Sequence, residues 1–300
     1  MLFRVLLATL LLPAAHSQST PIFDFHSGFW VNLHHFLLEQ AMQASAAADS
    51  PEWRRALDHY RANLVKKDML DREMEAINHA LSVRESASSL EGSGLKPELI
   101  AVLQEAAPEY RKRWWPAHER TDREWIAAVR PLIQKYGAAL TGELSAVYGT
   151  PWPKDPIRTD VAEYANWAGA YTTLNPTHIT ISSTAPGYAG QAALEMLFHE
   201  ASHALVKPVA DALFQEVRAQ GKFLPRQDAW HGLLFYTTGA IVARHLDGYS
   251  PYAIANGLYE RGWAGLLPVL QQDWQPYLEG KIDRASALHR LVDHYGTARK

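Results

Sequence analysis

The chain has 300 residues, 47% of them hydrophobic, with 10 Trp, 14 His, no Cys and a formal charge of −3. A mildly acidic balance argues against nucleic acid as the main partner, and the absence of Cys excludes disulfides and every thiolate metal site. The apolar and aromatic content suits one large domain or two closely packed ones.

Residues 1–17 read as a secretory signal peptide, with Arg4 before a short apolar run over 5–12 and small residues up to a cut near Ser17. That start predicts a secreted or periplasmic protein. The apolar run is too short to span a bilayer comfortably, and no later segment is apolar enough to cross one, so no stable membrane span is expected after cleavage.

The region 18–150 reads as successive amphipathic helices. Apolar residues recur at helical spacing over 26–46. Ser50, Pro51 and Glu52 form a strong helix start for a segment running to about residue 68, and another helix is expected over 71–83. Residues 87–94 read as a linker, Lys96-Pro97-Glu98 starts a further helical run, Pro108 and Pro116 punctuate it, and 119–136 reads as helical again. Asp24 and His26 fall in a loop, and adjacent His34 and His35 point about 100° apart on a helix, so they do not easily share one ion.

The texture changes at the Pro-rich stretch 148–153, which opens a second region over 151–300. Segments 157–165, 168–174 and 177–183, rich in Thr, Tyr, Val and Ile, predict a small antiparallel meander of about three strands. Helices are then expected over 208–220, 228–246, 251–261, 264–278 and 282–294. The predicted fold class is α+β, predominantly helical, with the small sheet directly before residues 191–206.

That last stretch, QAALEMLFHEASHALV, holds His199-Glu200-Ala201-Ser202-His203. Two His four apart lie on one helix face and can reach the same ion, while Glu200 stands close enough to handle a water there. With 14 His and 18 Glu in the chain, about 0.04 chance occurrences of this pattern are expected. The bland alternative is a buried helix with two hydrogen-bonded histidines.

A sheet followed at once by an H-E-x-x-H helix and further helices resembles the zincin superfamily of metallopeptidases, over roughly residues 157–246. The resemblance implies a single Zn²⁺ held by His199 and His203, with Glu200 as general base acting on a peptide or protein substrate. It also implies a strand before the helix that pairs with extended substrate, here 178–183. A metzincin needs Gly at 206 and His at 209, where this chain has Val206 and Val209. A thermolysin-like gluzincin takes a Glu from a following helix as its third ligand, and a His in that place departs from the pattern. His231 is the preferred candidate, with Glu216, Glu260 and Asp228 as alternatives. Tyr236, His245, Tyr252 and Tyr259 are candidate oxyanion donors, Tyr236 preferred, and Asp228 and Asp247 are possible partners for the ligand imidazoles. The competing functions are a zinc hydrolase of a non-peptide amide or ester, and a zincin-like binding protein without catalysis.

Overall fold

A computed structural model of the chain describes residues 21–43 and 50–298, so the expected signal peptide lies outside the described residues. The fold is α+β and mostly helical. The first half contains β1 (Phe23–His26), α1 (Phe29–Met42), α2 (Pro51–Asn63), α3 (Arg72–Ser82), α4 (Pro97–Arg113) and the long α5 (Trp115–Tyr148). Three strands follow, β2 (Ile157–Ala162), β3 (Ala170–Leu174) and β4 (Thr177–Ser182), and lead into α6 (Gln191–Ser202). The rest comprises α7 (Lys207–Ala219), β5 (Lys222–Phe223), α8 (Ala229–Ala243), α9 (Tyr252–Ala255), α10 (Leu258–Gly262), α11 (Leu266–Val269), a π-helical turn (Leu270–Trp274), α12 (Gln275–Leu278), α13 (Arg284–Tyr295) and β6 (Thr297–Ala298). Among the described residues no helix is long and apolar enough to cross a membrane.

Local chemistry accounts for several boundaries. Ser50 caps α2 by accepting the Trp53 backbone N–H at 3.1 Å, with Pro51 at the first helical position. Pro108 and Pro131 both lie inside helices, so neither ends its helix despite removing a backbone donor. Gly257, at φ +62°, breaks the expected 251–261 helix into α9 and α10.

The sheet corrects the expected antiparallel meander. Its order is β1-β2-β4-β3, with β1, β2 and β4 parallel and only β3 antiparallel to its neighbour. The tight Asn175-Pro176 connection makes β3 and β4 a hairpin, and that hairpin joins the sheet through β4, which therefore runs parallel to β2. Asp24 and His26 lie in β1 and not in a loop: Phe23–His26 pairs with Ile157–Asp160.

The two faces of the sheet differ. Ile157, Val161, Ile179 and Ile181 belong to a core shared with α5, α6, α8 and α13. The alternate residues are polar and turned to the N-terminal helices: Arg158 donates to Ser82 O (2.9 Å), Asn78 donates to Thr180 Oγ1 (3.0 Å), and the Tyr171 hydroxyl meets His35 Nε2 (3.1 Å). His34 Nδ1 meets the Tyr60 hydroxyl at 2.8 Å, while its buried Nε2 has no partner among the described residues. Buried strand residues of this kind need such partners. A second core gathers Trp30, Trp53, Tyr60, Met74 and Tyr110 among α1 to α4.

Candidate metal centre

The H-E-x-x-H segment is helical because nothing in it opposes a helix and its apolar face has a place to go. Gly190, at φ +57°, turns the chain into α6. Leu194, Leu197, Phe198 and Ala201 are then buried, each large side chain contributing about 1.5–3 kcal/mol. Phe198 packs edge-on against Phe23 of β1 at 5.4 Å, which ties the helix to the sheet. Although α6 ends at Ser202, His203 keeps helical dihedrals (φ −57°, ψ −31°). The two imidazoles therefore share a face, with ring centroids 5.2 Å apart.

The third imidazole comes from α8, which packs against α6. His231 lies 5.1 Å, ring to ring, from both His199 and His203, so the three rings form a near-equilateral triangle. His199 Nε2 and His231 Nε2 are 3.1 Å apart, and one nitrogen from each ring lies within 4.8 Å of the others. Nitrogens bound tetrahedrally to one zinc stand about 3.4 Å apart. Three His residues are thus close enough to bind a metal ion.

Aromatic rings wall the triad. Phe235, one turn after His231, stacks on the His199 ring at 3.8 Å and 22°. Trp230 meets both His203 (5.9 Å) and His231 (5.4 Å), and Trp263 stands edge-on to His231 at 5.7 Å. Gly232 permits this closeness, since a Cβ there would lie 3.1 Å from the Trp263 ring and 2.7 Å from Leu266.

Burial dominates the electrostatics. It drives His199 well below its ordinary range, with His231 and His203 adding to the effect, and it lowers His203 to about 3 and His231 to about 4. All three rings are neutral near pH 7, the form that ligates a metal. Glu200 is pushed up to about 7 by burial, opposed by a hydrogen bond from Thr172. That bond is short: Thr172 Oγ1 lies 2.6 Å from Glu200 Oε2 and 3.1 Å from the Glu200 carbonyl oxygen. Thr172 sits on β3, which is hydrogen-bonded to β4 alone within its sheet.

No family model, curated protein or solved structure matches this chain.

His199, His203 and His231 come together as the spacing suggested; Glu216 does not join them. Its carboxylate accepts from Gln220 (2.8 Å) and meets His289 Nδ1 (2.8 Å), away from the triad. Asp228 pairs with Arg226 and accepts from Trp263 Nε1 at 3.3 Å; its carbonyl oxygen accepts the His231 backbone N–H at 2.8 Å, and its carboxylate acts on the His231 ring through its charge, which opposes the lowering by burial. The Tyr236 hydroxyl donates to Gln275 Oε1 at 3.0 Å, and Tyr259 donates to Gly232 O at 2.9 Å. His245 pairs with Glu143 at 2.6 Å. These bonds occupy three of the four candidate oxyanion donors elsewhere. Asp247 acts electrostatically on Lys135 and, among the described residues, makes no hydrogen bond or ion pair with the triad. The expected substrate strand 178–183 is also corrected: β4 is interior, with β2 and β3 on its two edges, and of the two outer strands, β1 and β3, it is β3 that lies beside Glu200.

Sequence reasoning missed Thr172 and Phe235. Phe235 was within reach, because it follows His231 by four residues on one helix. Thr172 left no local signal, since its relation to Glu200 spans 28 residues and depends on how the hairpin docks.

Proposed function

We propose that this protein is an exported zinc metallopeptidase with a zincin-like arrangement, in which His199, His203 and His231 hold the ion, a His taking the place of the gluzincin Glu, and Glu200 is the general base. The observation that carries the reading is the triangle of three neutral imidazoles with a buried carboxylate on the same helix, beside its first ligand. A zinc ion held there supplies Lewis acidity towards water and the scissile carbonyl.

Glu200 does the proton work. Its Oε2 is held by Thr172, leaving Oε1 to take a proton from the attacking water and return it to the departing nitrogen. The outer edge of β3, beside Glu200 and paired with no strand among the described residues, supports a peptide substrate: an extended chain can add to it through main-chain hydrogen bonds.

The test combines metal analysis of the purified protein with hydrolysis of a peptide library, run beside Glu200→Gln. The reading expects one zinc per chain and activity that the Gln variant loses. A protein without stoichiometric zinc overturns the metal centre, and a Gln variant as fast as wild type overturns the base. Zinc with cleavage of amide or ester substrates but of no peptide moves the assignment to a non-peptide hydrolase. Zinc without any hydrolysis leaves a binding protein.

A further inference from the structure

A cleft of about 770 Å³ opens beside β1, with no residue of α6, α7 or α8 in its lining. β1 and β3 are the two outer strands, so this cleft adjoins the sheet edge opposite the one beside Glu200. Its volume lies within the range of small-molecule sites.

The lining carries two carboxylates and two guanidinium groups, and three of these four are paired. Glu85 is spoken for by His26 Nδ1 (2.9 Å) and by Arg158 (3.1 Å). Glu119 is taken by Arg123 at 2.6 Å. Arg111 remains: among the described residues it makes no ion pair or hydrogen bond, and its guanidinium lies over the Phe29 ring, 3.8 Å from the centroid. Stacking covers one face of that plane and leaves its N–H edges unspent.

Neutral donors face the same space. Ser86 and Ser88 are exposed and make no side-chain hydrogen bond among the described residues. The segment between them is fixed, because Trp30 Nε1 donates to Ala87 O at 2.9 Å. Trp115, edge-on to Phe29 at 5.4 Å, provides a flat apolar wall.

We infer that this cleft binds a small carboxylate bearing an aromatic or apolar body. The carboxylate meets the Arg111 fork and the hydroxyls of Ser86 and Ser88, and the body lies against Trp115. A guanidinium edge matches the two oxygens of a carboxylate, and a stacked guanidinium loses little freedom on forming that pair. The carboxylate belongs either to a free organic acid or to the C-terminus of a peptide, which offer the same chemistry.

Calorimetric titration of the full chain at low salt tests this with benzoate, N-acetylphenylalanine and N-acetylphenylalanine amide. Saturable binding is expected for at least one of the two acids, with the amide bound at least tenfold more weakly than N-acetylphenylalanine if that acid binds, or not at all. Benzoate binding identifies a free acid; binding of N-acetylphenylalanine alone identifies a peptide C-terminus. Arg111→Gln, an exposed change in the last turn of α4, should weaken the acid at least tenfold with the circular dichroism unchanged. Glu200→Gln should leave it alone, so failure of the hydrolase reading does not touch this one. Equal binding of N-acetylphenylalanine and its amide, unaltered binding to Arg111→Gln, or no saturation by either acid below about 10 mM overturns the site.

Discussion

The Thr172 hydroxyl donates to Glu200 Oε2 at 2.6 Å, joining the outer strand of the sheet to the carboxylate between the two helix-borne histidines. The bond fixes the rotamer of Glu200 and directs its other oxygen. Thr172→Val keeps the shape and removes the donor. Hydrolysis should fall roughly 10- to 100-fold while zinc content stays at wild-type level. Thr172→Ser should recover most of the rate. A Val variant with wild-type turnover would remove Thr172 from the site.

The triad predicts a metal response in stability. Zinc at about 100 times its dissociation constant should stabilise the fold by about 2.7 kcal/mol. His231→Ala should weaken zinc about 100-fold or more and abolish that gain at the same concentration. Glu216→Ala should change neither, because that carboxylate is engaged by Gln220 and His289. Thermal melts with and without zinc read both.

Asp122 sets a pH dependence. It is fully buried and accepts from Ser27 (2.8 Å), Asn32 (3.0 Å) and Ser183 (2.7 Å), yet burial pushes it up to about 7 from 3.8. A carboxyl raised on folding favours the native state below its unfolded value, and the benefit is lost as pH rises through about 7. Asp122→Asn cannot titrate. Between pH 4 and pH 8 its stability relative to wild type should therefore rise, by something on the order of 3 kcal/mol. Urea titrations across that range check it, and a constant difference would count against the shift.

Two glycines in helices should respond oppositely to Ala. At Gly239 a Cβ would lie 2.7 Å from Pro251 and 3.0 Å from Glu195 Oε1, so Gly239→Ala should destabilise by about 1–3 kcal/mol. Gly142, on the exposed side of α5, has nothing within 4 Å. Gly142→Ala should stabilise by about 0.5–1 kcal/mol. Denaturation midpoints distinguish the two directly.

Much of the site was legible because its information is local. His199, Glu200 and His203 lie within five residues, and His231 opens the helix that packs back on them. β1 was hidden because Phe-Asp-Phe-His is short, carries no β-branched residue, and pairs with a strand more than 130 residues away. The direction of β4 was hidden for a related reason. Adjacent strands in the chain suggest a meander, but whether a hairpin docks by its first or second strand depends on tertiary packing. Tyr236 illustrates the same limit: helix spacing placed it near His231, and only the packing of α12 gives its hydroxyl to Gln275.

β1 and α5 come from the first half of the chain, yet both serve the second. Phe23 touches the H-E-x-x-H helix, while Trp125, Val129, Leu140, Leu144 and Tyr148 fill the core around it. The two halves are interlaced, and a cut at residue 150 does not follow a seam. A fragment 151–300 would expose one side of β2 and lose seven large core side chains, Ile126 among them, each worth about 1.5–3 kcal/mol. Expressed alone, it should fail to fold and to take up zinc, and it should regain both when residues 18–150 are supplied as a separate chain.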